Sequence, residues 1–272
     1  MASLNVERRG RGQPIVLLHG IGGELCVWEP VLEPLAEHLD VIAVDLPGFG
    51  HSPPLPDGAG PTPEALARAV ARLMDELGLE SAHLAGNSLG GWVALELGKT
   101  ARARSVSALC PAGLWRGPLD PAGAPAPRGA QRMARALRPL LPAAMLSPAL
   151  RRRALARVVA HPERVPRAAA TRMVSSYARS TAYDATNVAM RQSHFTGASR
   201  IRVPLTVAFG EQDRLIRPVR LRAPGARTLV LPDCGHIPMF DQPDVVARLL
   251  LETSGQLPES SQAPPRKEGT MG

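Results

Sequence analysis

Short uninterrupted apolar runs alternate along this chain with longer stretches in which apolar residues recur at helical spacing. Residues 15–18, 41–44 and 205–209 are runs of the first kind, and parallel strands covered on both faces read this way. Residues 82–85, 106–110 and 227–231 are also strand-like. A helix is predicted from Thr62, a capping residue followed by Pro63 and Glu64, through Leu66, Val70, Leu73 and Leu77, with Gly78 as its stop. Another follows Pro243, through Val245, Val246, Leu249 and Leu250. Strands alternating with helices imply an α/β layer architecture: a mostly parallel twisted sheet with helices on both faces. At 272 residues the chain is long enough to bury one full core, and it carries no internal repeat.

Residues 114–200 interrupt the alternation. Stretches rich in Ala, Leu and Arg are broken at Pro139, Pro142, Pro148, Pro162 and Pro166, which predicts several short helices between two strands. From Ser254 onward Gly, Gln, Pro, Glu and Ser dominate, and 254–272 reads as a disordered tail. The expected organisation is a core of 1–113 and 201–253, a helical insertion of 114–200, and that tail.

Charge alters the picture in one place. The chain is +8 overall, and residues 114–200 hold 15 Arg or Lys against 3 Asp or Glu, so the whole positive excess sits in the insertion. Three readings are open: a field that draws an anionic small-molecule substrate, an amphipathic surface for an anionic membrane, or a plain solvated face. Arg supplies 30 of the 32 basic residues, a bias that a GC-rich coding sequence also produces, and membrane contact is not expected. Few aromatics are interleaved with the arginines, so nucleic acid is not an expected partner. There is no signal-like apolar run near the start and no stretch of 18 apolar residues, which gives a cytoplasmic expectation. Cys26, Cys110 and Cys234 are widely spaced and suggest neither zinc nor disulfides. They read as buried apolar groups, with Cys234 close enough in sequence to His236 to be accessible in a site.

The chemistry concentrates at Gly86-Asn87-Ser88-Leu89-Gly90-Gly91, directly after a strand-like run. The pattern G-x-S-x-G makes a sharp strand-to-helix turn, its glycines letting neighbouring backbones pass and its serine projecting at a helix N-terminus. A serine hydroxyl is a poor nucleophile unless a base takes its proton and a third group orients that base. Asp213 follows the strand-like run ending at Phe209, and His236 follows the one ending at Leu231. Asp233 and Asp241 compete for the acid role; the first shares the turn of His236 and the second begins the final helix. Only 22 residues separate Asp213 from His236, room for no more than a short or irregular helix.

The order Ser88, Asp213, His236 resembles that of the α/β-hydrolase superfamily. So do His19-Gly20-Ile21-Gly22-Gly23 after the first apolar run and Asp45-Leu46-Pro47-Gly48-Phe49-Gly50 after the second. The resemblance covers nearly the whole chain outside the tail. It implies an α/β-hydrolase fold with a helical cap inserted after the sixth strand, a Ser88-His236-Asp213 triad, and an oxyanion hole made by the backbone N–H groups of Ile21 and Leu89. His19 would brace the oxyanion turn. His19, Gly20, Asn87, Trp115, Tyr177, His194 and Ile237 are assigned to the substrate pocket. The implied reaction is hydrolysis of a small ester or lactone through an acyl-enzyme, with no metal or organic cofactor. The runner-up is a carbon–carbon bond hydrolase of the meta-cleavage type, although those enzymes usually carry Trp where Ile237 stands. A catalytically idle ligand-binding module of the same fold is the third reading. Tyr177 and Tyr183 match the position of the paired tyrosines of epoxide hydrolases, but those enzymes need a carboxylate at position 88.

Overall fold

The computed structural model describes residues 3–56, 58–119 and 129–258. Strands form where the apolar runs predict them: β1 (Val6–Gly10), β2 (Gln13–Leu18), β3 (Leu39–Val44), β4 (Ala82–Asn87), β5 (Ala103–Leu109), β6 (Leu205–Gly210) and β7 (Arg227–Leu231). They build one sheet in the order β1-β3-β2-β4-β5-β6-β7. Only the edge pair β1 and β3 is antiparallel; every other neighbouring pair is parallel. All residues of β3, β4 and β6 are buried, whereas β7 at the opposite edge buries only Leu231.

Side chains alternate across the sheet and feed two cores. On one face Ile15, Leu17, Val41 and Ala43 meet α1 (Glu29–Ala36) and α10 (Pro243–Thr253) through Leu32, Leu35, Val246 and Leu250. On the other, Val16, Leu18, Ile42 and Val44 meet α2 (Pro63–Glu76) and α3 (Leu89–Gly98) through Leu66, Val70, Trp92 and Leu95. Helix α2 begins as its sequence predicts. The Thr62 hydroxyl accepts the Ala65 N–H at 3.2 Å, a cap worth about 1 kcal/mol. It ends ahead of Gly78, whose φ of 69° a side chain would disfavour.

The insertion holds α4 (Gly129–Ala136), α5 (Leu141–Ala144), α6 (Pro148–Leu155), α7 (Arg167–Arg179) and α8 (Tyr183–Arg191). Pro142 and Pro148 sit in the first turns of α5 and α6, where a missing N–H costs nothing. Among the described residues the insertion follows the fifth of seven strands, where the sixth was expected. Two further expectations are corrected. The stretch from Asp213 to β7 contains no helix among the described residues and runs back along one face of the sheet as an irregular loop, with Ile216, Leu221 and Ala223 packed on the core. The tail does not begin at Ser254: the Ser254 N–H donates to the Leu250 carbonyl, the Gln256 N–H to Leu251, and Leu257 packs against the α1 and α10 side of the core. Residues 259–272 of the expected tail lie outside the described residues. No helix among the described residues is long and apolar enough to cross a membrane.

Buried His83 on β4 contacts the Ser105 hydroxyl at 2.9 Å and the Gln13 side-chain oxygen at 2.8 Å. Burial, with a smaller contribution from the charge of Arg104, pulls its imidazole down to about 4. The unfolded chain therefore takes up this proton first as pH falls below ~6.5, and stability declines from there to about pH 4. His83→Gln is expected to flatten that part of the stability profile, read from urea unfolding across this range. An unchanged slope would show that His83 is not the responsible group.

Candidate active site

The end of β4 supplies the most constrained turn in the molecule. Ser88 joins β4 to α3 with φ 56° and ψ −115°, a conformation that costs a non-glycine residue roughly 1–3 kcal/mol. It persists because three backbones meet around it. A Cβ at Gly86 would stand 2.1 Å from the Gly90 carbonyl oxygen, and a Cβ at Gly90 would stand 2.1 Å from the Leu18 carbonyl oxygen. Hydrogen bonds hold the turn from both sides: the Ser88 N–H donates to Leu109 at 2.9 Å, and the Ser88 carbonyl accepts from Ala112 and Trp92. Leu89 is the first residue of α3, so its N–H has no partner within the helix.

The turn after β2 runs alongside. A Cβ on Gly20 would lie 3.1 Å from the Ser88 Cβ, which places the Gly20 and Ile21 backbone against the serine. Fully buried His19 fixes that path. Its Nε2 accepts the Leu46 N–H at 2.9 Å, so its Nδ1 carries the proton and donates to the Gly20 carbonyl at 2.7 Å. Burial lowers the imidazole pKa and keeps the ring neutral, as this bonding requires. His19 is thus a brace and does not line a pocket.

His236 and Asp213 meet at the ends of β7 and β6. Their Nδ1 and Oδ2 atoms are 2.8 Å apart, the carboxylate is fully buried, and the imidazole is nearly so. Burial disfavours the Asp213 charge, but the hydrogen bond and charge of His236 and the N–H groups of Leu215 and Ile216 outweigh it, leaving the carboxyl below its usual range. An ionised Asp213 accepts a hydrogen bond from Nδ1–H, which keeps that proton on the ring and leaves Nε2 as the free basic nitrogen. Asn87 links this pair to the serine turn: its Nδ2 donates to the His236 carbonyl at 2.8 Å and to the Leu109 carbonyl at 3.2 Å. Asn87, expected in the pocket, instead spends its amide on backbone.

The other pocket assignments divide. Tyr177 and Tyr183 of the insertion cross edge to face with ring centroids 5.0 Å apart, directly over Gly22, where a Cβ would meet Tyr177 at 2.8 Å. Ile237 is half-buried, and its N–H donates to Val158 of the insertion at 2.7 Å. His194 is half-buried beside Phe195. Trp115 packs on Trp92 with centroids 5.6 Å apart and ties its indole N–H to the Ser193 carbonyl, so it braces the insertion. Asp233 lies at the surface and accepts from the Gln212 amide, away from the acid role.

Two residues do more than their places in the sequence suggest. Asp241 does not begin the final helix; it closes the short α9 (Pro238–Asp241), and its buried carboxylate accepts N–H groups from Gly235 at 2.8 Å, Ala160 at 3.0 Å and His161 at 2.9 Å. It therefore clamps the loop carrying His236 to the insertion. Cys110 is no inert filler: with φ 45° at the end of β5, its thiol accepts the Gly210 N–H at 3.4 Å and lies with Asp213 and His236 within 4.8 Å. These three are the one set of possible metal ligands among the described residues. Burial and the nearby Asp213 charge hold the thiol protonated, and Asp213 is already bonded to the imidazole, so the donors suit an acid–base pair better than a cation. Cys234 is fully buried, not accessible, and burial pushes its thiol up to about 12.

Comparison with known proteins shows the family. The model of the alpha/beta hydrolase family matches residues 15–249. This chain belongs to the alpha/beta hydrolase family. It is 36% identical to the epoxide hydrolase EphH of Mycobacterium tuberculosis over 203 residues, covering 68% of this chain and 91% of that protein. It is 47% identical over 109 residues to the dihydrolipoyllysine-residue acetyltransferase component of the acetoin cleaving system of Cupriavidus necator. That match takes in 39% of this chain and only 29% of the relative. A thermophilic esterase from Thermogutta terrifontis, solved with malate bound, superposes with a TM-score of 0.71 at 25% identity, covering 93% of both chains.

Removing the Asp241 carboxylate strands three N–H donors, that of Gly235 buried and those of Ala160 and His161 part-buried, on two segments. Asp241→Ala is expected to cost about 3 kcal/mol or more in urea unfolding. Asp241→Asn, which keeps one acceptor oxygen, should cost less, and equal losses would show that the clamp does not act through these bonds.

Proposed function

We propose that this protein is a serine esterase that hydrolyses small-molecule esters through an acyl-enzyme. The observation that carries the proposal is the pairing of His236 with a buried Asp213 at the sheet end where Ser88 is held in a strained turn, with Asn87 joining the two. His236 Nε2 takes the Ser88 proton as the hydroxyl oxygen attacks the ester carbonyl. The N–H groups of Leu89 and Ile21 bind the resulting oxyanion, each donor of this kind being worth about 3 kcal/mol in the transition state. His236 gives the proton to the departing alcohol, then takes one from the water that attacks the acyl-enzyme carbonyl. Asp213 holds the imidazole in the required tautomer and stabilises its charged form.

The tyrosine pair and the EphH relative raise epoxide opening as a second reading. Chemistry argues against it. Attack of Ser88 on an epoxide carbon would form an ether, which has no carbonyl for water to attack, so the enzyme would stop after one event. Arg172 and Arg179 of α7 are already paired with Glu29 and Glu24 and so offer no free charge to an anionic substrate.

A fluorophosphonate should add once per chain, at Ser88 by mass spectrometry, and Ser88→Ala should lose both the adduct and roughly a million-fold of p-nitrophenyl ester turnover. Turnover of a vinylogous diketone acid with inert short esters would instead favour carbon–carbon cleavage. An adduct on the Ala variant would remove Ser88 from the mechanism.

A further inference from the structure

The outer side of the insertion has a composition found nowhere else in the chain. Between Asp120 and Glu163 there are eight arginines and no acidic residue, and no aromatic residue occurs between Trp115 and Tyr177. The structure shows which way this segment faces. Gln131, Met145 and Leu155 are buried and anchor it inward, Gln131 by donating to the Ser180 carbonyl at 3.2 Å. On the opposite side, Met133 and Leu140 are each 62% exposed, Leu146 59%, Leu150 47% and Leu137 46%. Arg132, Arg138, Arg152 and Arg153 are exposed among them and have no acidic partner among the described residues. Half of the ten strongly exposed large apolar side chains of the described residues therefore lie within 18 consecutive positions, amid unpaired positive charge.

We propose that this face, formed by α4, the turn at Arg138–Leu140, α5 and α6, docks the protein on an anionic lipid surface. Charge alone gives no reason to expect a membrane; the outward Met and Leu side chains do. Protruding apolar side chains enter the acyl boundary, while arginines beside them reach phosphate groups with planar, weakly hydrated heads. The absence of any carboxylate over this stretch removes the repulsion such a surface would meet. An acidic protein partner fits less well, since protein interfaces anchor on Trp and Tyr and under-use Leu. No helix spans the bilayer in this mode, consistent with the helix lengths present. The proposal rests on the insertion alone and stands or falls independently of Ser88.

The test is co-sedimentation of the full chain with vesicles of phosphatidylcholine alone or with about a third phosphatidylglycerol, at ~0.05 M and ~0.5 M salt. Binding is expected only to the anionic vesicles and should weaken at high salt. The variant Met133→Gln, Leu140→Gln, Leu146→Gln should bind at least about tenfold more weakly, as should Arg132→Gln, Arg138→Gln, Arg152→Gln, Arg153→Gln. Both should keep the parent melting temperature, since these side chains support no core. Absence of binding to anionic vesicles at low salt, binding that both variants retain, or capture of an acidic carrier protein without vesicle binding would each overturn the assignment.

Discussion

Close approach of three backbones at the carboxyl end of the central strands sets everything else in this molecule. Gly86, Gly90 and the end of β2 touch at distances no side chain tolerates, and the chain reverses between them only if Ser88 accepts a left-handed φ. That strain is sustained by the rigidity of its supports. The residues of β4 and α3 are buried throughout, and both sheet cores press on them. A serine placed this way is fixed in position. For the proposed reaction it needs a base brought to it, and the arrangement of the remaining loops fits that need.

Those loops are held by buried carboxylates that accept backbone N–H groups. Asp45 takes the N–H groups of Leu25 and His51 together with the Asn5 amide, fixing the turn beside the oxyanion loop. Asp241 does the same for Gly235, Ala160 and His161. A charged acceptor bonded to several amides is stronger than neutral pairs and has no conformational alternative that satisfies it equally well. The geometry of the candidate site is thus maintained by residues outside the Ser88, His236 and Asp213 set.

This division explains what the sequence made legible. Strands and the α2 cap were readable because their signals are local: apolar runs at 15–18 and 41–44, or Thr62 and Pro63 ahead of a periodic stretch. The serine turn was readable because its glycines must be glycine. Asp241 and Cys110 were not, since two of the three partners of Asp241 lie 80 and 81 positions away and those of Cys110 100 or more, and nothing in the neighbouring residues marks them. The roles of Asn87 and Trp115 were misassigned for the same reason: proximity to a site in sequence does not tell which way an amide or an indole points. The fold-back at residues 254–257 escaped because one Leu in a polar stretch carries little pattern, although it is enough to hold the chain against the core.

The insertion is joined to the catalytic loop more tightly than to most of the sheet. Ile237 donates to Val158, Asp241 holds Ala160 and His161, and a Cβ on Gly235 would stand 2.7 Å from the Ala160 nitrogen. On its other flank, Tyr177 presses on Gly22 beside the oxyanion turn, and Arg179 pairs with Glu24 at 2.6 Å. A rigid lift of the insertion would therefore break bonds at both the base and the oxyanion donors. Displacement of the α4 to α6 side would disturb neither, because that side is anchored by few buried residues and meets the Asp213 loop at its far end, where Arg214 donates to the Ala156 carbonyl at 3.0 Å. Packing strength thus falls from the Ser88 turn outward, toward the segment that bears the exposed apolar and basic face.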